Sequence, residues 1–273
     1  MIALGLLRFA LLGYLGAAVA ALLAANGRQP LPSRLLVLAL RFGALAHGAS
    51  IALRGLAEGT SAIATFDAGL SLLGLLVVVV FLAAQRTRPV AALGLVVAPL
   101  AFALTLAADL VYEGAHPVAP ALHSIWLPIH VVLSLLGDAV FAVAFSTSVL
   151  YLFRERRLKS HRVRGWMRQL PSLEALDRLN YVCLVWGVIL LTLGIVSGVI
   201  WAHTAWRGAW TSDPKLVLSL AVWVIYVVLL LGRMTIGWRG RWAAQLTMAG
   251  FAVIVLSLVG VNALGLGNHG RLF

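Results

Sequence analysis

The sequence has few charged residues and a single cysteine. Charged residues are 11% of the 273 and hydrophobic residues 62%, whereas a soluble domain carries about 25% charged residues. The lone Cys183 excludes an intramolecular disulfide, a CxxC redox pair and a cysteine metal cluster. The GxxxxGK[ST], HExxH and GxSxG patterns are absent, and so is a run of acids suited to a hard metal ion. With a mean hydropathy of +1.00, the chain is predicted to be an all-α polytopic membrane protein.

Apolar runs of membrane length recur along the whole chain. A span needs about 20 mostly apolar residues. We predict eight spans, at about 2–25, 35–53, 63–84, 90–108, 126–153, 181–200, 216–231 and 243–264. The first run is too long for a signal-peptide core and lacks a basic start, so we interpret it as a retained span. The halves show no convincing repeat of the kind found in many secondary transporters.

Basic residues fall in alternate loops, around 28–34, 86–88, 154–168 and 233–241. The positive-inside rule assigns these loops to the cytoplasm, which places both termini on the outer side. This topology explains the net charge of +12 without a nucleic-acid partner.

The stretch 201–215, WAHTAWRGAWTSDPK, contains three tryptophans between two apolar runs. We predict that it forms a short loop at the outer membrane surface. Aromatic belts anchor membrane proteins generally, but three indoles beside Asp-Pro-Lys exceed that need. Flat indoles next to polar groups suit a large, flat, partly apolar ligand.

Histidines on the outer side are candidate ligands for such a molecule. The topology lets His130, His203 and His269 converge, and neutral imidazole is a standard axial ligand of haem iron. His47 lies inside span two, where ionisable residues are often functional. Each histidine also has a structural alternative. His130 could be an interfacial residue bonded to a backbone carbonyl, and His47 could be hydrogen-bonded between helices. His203 could be solvated, and His269 could belong to a mobile tail.

A haem site also needs aromatic walls and cations for the propionates. The predicted outer face supplies both, in Trp126, Trp201, Trp206, Trp210, Arg207, Lys215 and Arg271. Asp138, inside span five, is expected to be protonated or paired, in a structural role or on a polar path.

The C-terminal half resembles the cytochrome c assembly proteins, membrane haem handlers with a tryptophan-rich "WWD" motif. The matching positions, in order and spacing, are Trp201, Ala202, Trp206, Trp210, Asp213, Pro214, Lys215, Trp223, Tyr226, Arg233 and 237–240. The resemblance extends back to WLPIHVVLSLLG and implies that His130 and His269 ligate haem iron, while His47 matches a histidine often found in an early span. It also implies one domain, 1–273, with N-terminal spans 1–125 and a WWD-like core 126–273.

Three positions depart from the assembly-type pattern. Ser212 replaces a tryptophan before the aspartate, Leu216 replaces a glutamate, and Leu231 replaces a histidine. With the short chain and the absence of a large outer domain, these departures are more similar to the small HemX-type branch. These departures argue against attachment of haem to cytochrome c more than they argue against haem binding.

The resemblance therefore implies a protein of the bacterial inner membrane that transiently binds haem b. It would hold haem on a platform of Trp201, Trp206, Trp210 and Asp213, with Arg207 or Lys215 at the propionates, for attachment to a CxxCH apocytochrome c. A membrane partner with a large periplasmic domain is expected. The alternatives are a HemX-type regulator or scaffold of tetrapyrrole synthesis, with the basic run 154–168 as docking surface, and a haem exporter.

Overall fold

The computed structural model describes residues 2–25, 33–59, 61–87, 90–112, 114, 124–160, 170–206 and 213–261. Their regular elements are the helices α1 (Ile2–Ala25), α2 (Ser33–Glu58), α3 (Ser61–Ala64), α4 (Phe66–Thr87), α5 (Gly94–Leu110), α6 (Trp126–Lys159), α7 (Leu173–Trp206), α8 (Pro214–Thr235) and α9 (Arg241–Val255). A 3₁₀ turn, Ala91–Leu93, leads into α5, and a π-helical turn, Leu256–Gly260, follows α9. These described ranges contain no strand, which confirms the all-α prediction.

Except for the short α3, the helices reach membrane length, α5 together with the 3₁₀ turn before it and α9 together with the π-helical turn after it. Within the described ranges, 8 helices are long and apolar enough to cross a bilayer, which confirms the predicted number of spans. The chain is therefore a multi-pass membrane protein.

Several helices extend beyond the predicted spans. Span two was predicted to end near residue 53, yet α2 continues to Glu58 and includes Arg54. Helices α6 and α7 have 34 residues each, or roughly 51 Å at 1.5 Å per residue, whereas the hydrocarbon core is about 30 Å thick. The predicted spans end where the apolar residues end, which is the edge of the membrane. The helical hydrogen bonds continue beyond that edge.

The bundle is built from two groups of packed helices. In the first group, α1 packs on α2 and α5, and α4 packs on α5. In the second, α6 packs most extensively on α7 and also on α9, while α8 packs on α7 and α9. Helix α4 lies against α6 and joins the groups. Within the core, the rings of Phe141 and Tyr226 stack with centroids 3.8 Å apart.

Polar contacts tie the helix termini together at each end of the bundle. At one end, an ion pair of 2.9 Å joins Arg54 near the end of α2 to Asp67 in the first turn of α4. At the other, an ion pair of 2.7 Å joins Arg233 near the end of α8 to Asp177 in α7. We call the first the cavity end, because it contains the cavity described next, and the second the opposite end.

Candidate functional site

A cavity of about 150 Å³ lies among α4, α6, α7, α8 and the turn after α9. Its polar lining follows helical periodicity. On α6, His130, Ser134 and Asp138 are spaced by four residues and share one face. On α8, Lys215 and Ser219 have the same spacing. Apolar residues complete most of the wall, and Thr65 and Phe66 lie on its α4 side.

The imidazole of His130 is held by the backbone of α7. Its Nδ1 lies 2.9 Å from the Gly194 carbonyl oxygen and 3.3 Å from Ser134 Oγ. A carbonyl only accepts hydrogen bonds, so Nδ1 carries the proton in this arrangement. Nε2 is then the lone-pair nitrogen, the form in which histidine ligates a metal. The alternative of a histidine bonded to a backbone carbonyl is thus present.

Gly198 allows the imidazole to lie close to α7. A methyl group at residue 198 would come within 2.6 Å of Cε1 and 2.7 Å of Nδ1 of His130. Glycine one helical turn after the accepting carbonyl therefore leaves the space that the ring occupies.

Trp201 forms a second flat surface beside His130. The two rings are nearly parallel, at 12°, with centroids 6.2 Å apart, which is an offset arrangement. Trp201 is buried, with 2% of its surface exposed, and it lines the cavity. The prediction of a loop beginning at Trp201 is wrong: α7 continues through Trp206. Burial of Trp201 and Ala202 makes the start of the added turn part of the packed bundle.

The Asp-Pro-Lys sequence starts α8. Asp213 is the N-cap residue, its Oδ1 accepts the Lys215 backbone N–H at 3.0 Å, and proline follows at the first helical position. Both features are strongly favoured at helix starts. The predicted loop 201–215 is therefore wrong at this end too, because Pro214 and Lys215 belong to α8. Asp213 is 3% exposed and also lines the cavity.

Residues of opposite charge line the cavity. Asp138 and Lys215 both line the cavity, and they attract each other electrostatically, as do Lys215 and Asp213. Whether Asp138 is protonated or paired stays a prediction. The sequence could not place Lys215 near it, because the two residues lie on different helices and far apart in the chain.

A charged cluster that the sequence did not reveal fixes the start of α4 beside the cavity. Arg54 contacts Asp67 at 2.9 Å and Glu58 at 3.2 Å, and its guanidinium lies 4.6 Å from the ring centre of Tyr112. The Tyr112 hydroxyl donates to Glu58 at 3.3 Å. Burial and the Glu58 carboxylate raise the pKa of Tyr112. Since Asp67 lies next to Phe66, this cluster positions one wall of the cavity.

His47 lies apart from the cavity lining. It is fully buried, with Nε2 2.8 Å from Ser71 Oγ and Nδ1 3.3 Å from the Tyr14 hydroxyl. Both ring nitrogens therefore hydrogen-bond between helices, which is the arrangement of the structural alternative.

Other predicted site residues are described in part or not at all. Trp126 begins α6 and is 38% exposed. His203 is exposed near the end of α7 and is not among the residues lining the cavity. Trp206 ends α7, but its side chain is not described. The remaining predicted residues lie outside the described ranges: Arg207, Trp210, His269 and Arg271.

The fold and cavity define a multi-pass helical membrane protein with a histidine and a tryptophan at one end of the bundle. The model of the family described as "Cytochrome C assembly protein" matches residues 42–269. The chain belongs to this family.

Proteins of cyanobacteria provide similar sequences. The chain is 36% identical over 182 residues to "Cytochrome c biogenesis protein CcsA" of Prochlorococcus marinus (strain MIT 9303), covering 58% of this chain and 57% of that protein. It is 36% identical over 196 residues to the protein of the same name from Synechococcus sp. (strain CC9311), covering 62% and 64%. A third, from Synechococcus sp. (strain CC9605), is 35% identical over 178 residues, covering 58% and 59%. The chain thus spans less than two thirds of the length of these relatives.

Proposed function

We propose that this protein binds haem at the cavity end of the bundle and handles it as cargo for cytochrome c biogenesis. The observation that carries the proposal is the orientation of His130 by the Gly194 carbonyl at 2.9 Å, which supports Nε2 as the nitrogen that would ligate the iron. Family membership supports the choice of haem. The names of the cyanobacterial relatives support the process.

The donor set fits an iron porphyrin. His130 supplies an imidazole, and Trp201 supplies an aromatic surface nearly parallel to it. The cavity, at about 150 Å³, matches a cavity that holds benzene rather than a whole porphyrin. The macrocycle would therefore extend beyond the described cavity, and we propose that Trp206, Trp210 and His269 complete the site, with His269 as the second axial ligand.

The charges of the cavity help to decide which cations would pair with the haem propionates. Lys215 already interacts with Asp138 and Asp213, so a propionate beside it would be a third carboxylate for one ammonium group. We therefore assign the propionates to Arg207 or Arg271, where a guanidinium offers paired hydrogen bonds. Lys215 would then stay beside the carboxyl groups of Asp138 and Asp213.

Attachment of haem to an apocytochrome c is an addition reaction. The S–H of a CxxCH cysteine adds across a haem vinyl group, forming a C–S bond and delivering the hydrogen to the neighbouring vinyl carbon, with no oxidant or reductant consumed. The contribution of this chain would be to hold haem in position. We further propose that the cavity end faces outward from the inner membrane, an orientation that the basic loops favour. We also propose that a partner with a large outer domain supplies the apocytochrome.

The test compares two histidines near the same end of the bundle. His130→Gly should remove haem from the purified protein, seen as loss of the Soret band and of the reduced α and β bands, and added imidazole should restore part of it. His203→Gly is the matched control, because His203 is exposed and outside the cavity lining. Equal haem content in His130→Gly and the unmodified protein would refute the assignment.

A second experiment tests the process. Deletion of the gene should remove all c-type cytochromes while haem-precursor levels stay normal. Normal cytochromes c with altered precursor levels would instead support the regulator of tetrapyrrole synthesis.

A further inference from the structure

The opposite end of the bundle contains an open cleft of about 500 Å³ between the start of α7 and the end of α8. Three arginines line it, Arg178, Arg233 and Arg239, together with Asp177 and Glu174. The haem proposal makes no use of this cleft, which lies at the far ends of the helices that form the cavity.

Arg233 is held rigidly at the base of the cleft. It is 7% exposed. Its Nη2 donates to Asp177 Oδ2 at 2.7 Å and to the Asp177 carbonyl at 3.1 Å, and its Nη1 donates to Asn180 Oδ1 at 2.9 Å. A guanidinium has five N–H groups, so these bonds within the described helices leave two for another acceptor. The Arg233 guanidinium is therefore fixed in position and can still donate hydrogen bonds to a ligand.

The charge of the cleft favours a single negative charge. Three arginines and two carboxylates give a net charge of +1. Arg178 and Glu174 form an ion pair at 3.2 Å whose side chains are 64% and 82% exposed, and such exposed pairs are weak. Arg178 is thus available to an incoming anion, and Arg239 is exposed as well. Guanidinium groups suit the oxygens of a phosphate, which they bind in pairs.

Exposed apolar residues continue from the cleft along α7 and α8. On α7, Arg178 shares a face with Val182, Trp186 and Ile189, which are exposed and follow it by 4, 8 and 11 residues. On α8, Met234 lines the cleft and is 66% exposed. In a membrane, these apolar surfaces contact acyl chains. A phosphate bound at the arginines would therefore have room for the attached chains along α7 and α8.

We propose that this cleft binds the phosphate group of an anionic phospholipid, with Arg178, Arg233 and Arg239 as its contacts. The headgroup phosphate supplies the negative charge that the cleft lacks, and the acyl chains cover the exposed faces of α7 and α8.

The experiment measures lipid retention by the full-length protein. Protein in detergent is incubated with phosphatidylglycerol or phosphatidylcholine at one ionic strength, and bound lipid is quantified by native mass spectrometry. The unmodified protein should retain phosphatidylglycerol in preference to phosphatidylcholine. Each cation near a lipid surface contributes on the order of a five-fold change in binding, so Arg178→Gln with Arg239→Gln should weaken phosphatidylglycerol binding about 25-fold.

Two further variants make the result specific. Arg86→Gln is the matched control, because Arg86 is exposed in the last turn of α4 and does not line the cleft; its retention should equal that of the unmodified protein. Glu174→Gln removes an exposed acid, so it should strengthen binding about five-fold without disturbing packing. Unchanged retention in both the double variant and Glu174→Gln would overturn the proposal.

A competition arm identifies the source of the phosphate. Inorganic phosphate should fail to displace phosphatidylglycerol, because it gains no contact with α7 and α8. Displacement at millimolar concentration, or equal retention of phosphatidylcholine, would overturn the lipid assignment.

Discussion

Replacing Gly198 by alanine tests whether close packing against α7 positions His130. The added methyl group would come within 2.6 Å of Cε1, 2.7 Å of Nδ1 and 3.4 Å of Nε2. Since contacts under 3 Å are not tolerated, the imidazole must move, and its 2.9 Å bond to the Gly194 carbonyl is lost or lengthened. Backbone strain does not arise, because residue 198 lies inside a helix.

Two effects on the free energy of unfolding oppose each other in this variant. Alanine is favoured over glycine in a helix by about 0.5–1 kcal/mol. Loss of one hydrogen bond costs about 0.5–1.5 kcal/mol. These terms nearly cancel, so we expect Gly198→Ala to unfold at almost the same temperature as the unmodified protein.

Haem binding should respond more strongly than stability. Loss of the partner that orients a metal-binding histidine typically lowers metal affinity about 10- to 100-fold. We therefore expect a lower haem content in purified Gly198→Ala and a shifted Soret band in the haem that remains. A haemin titration followed by absorbance, together with thermal unfolding in the same detergent, measures both quantities.

Two other glycine substitutions serve as controls. Gly55→Ala places a methyl group where nothing lies within 4 Å, so it should leave haem affinity unchanged. Gly187→Ala places one within 2.4 Å of the Phe141 ring, which is fully buried and cannot turn aside as the half-buried imidazole of His130 can. It should therefore lower stability without shifting the Soret band. If Gly198→Ala binds haem as tightly as Gly55→Ala with an identical spectrum, the reasoning about His130 is refuted.

Two further predictions concern the frame of the cavity. Asp213→Ala should lower the free energy of unfolding by about 1 kcal/mol, because α8 loses its N-cap. Asp213→Asn keeps a capping oxygen and should be more stable than Asp213→Ala. Equal unfolding temperatures for the two variants would contradict this role. Arg54→Ala should cost about 3–5 kcal/mol because it leaves Asp67 charged and buried, and Arg54→Ala with Asp67→Ala should cost less than Arg54→Ala alone. Arg8→Ala is the control, since the Arg8 side chain is 67% exposed in its ion pair with Asp109 and such pairs contribute at most about 1 kcal/mol; a double variant less stable than Arg54→Ala would contradict the buried-pair argument.

The spans were predictable because transfer of an apolar helix into lipid dominates their energetics. Hydropathy alone identified α1 and the number of membrane helices. It failed at the ends, where the helix leaves the bilayer but keeps its hydrogen bonds. Trp201 illustrates this failure: the tryptophans and polar residues indicated a loop, yet its burial against the cavity makes it part of α7.

The sequence identified individual residues of the candidate site but not the contacts between them. His130 and Trp201 were named from sequence, but their parallel stacking depends on how α6 packs against α7. The Gly194 carbonyl is separated from His130 by 64 positions, and a backbone acceptor leaves no sequence signal. Similarly, Arg54 and Asp67 were assigned to a loop and a span, so their ion pair could not be recognised.

Helix α7 connects the two sites proposed for this protein while keeping them apart. Its first turns carry Asp177, which holds Arg233 in the lipid cleft, and its last turns carry Gly198 and Trp201, which pack against His130. From residue 177 to residue 201 the helix rises roughly 36 Å, at 1.5 Å per residue. Substitutions so far apart with no shared contacts normally have additive effects. Loss of lipid from the cleft should therefore leave the Soret band of the haem unchanged, and loss of haem should leave lipid retention unchanged.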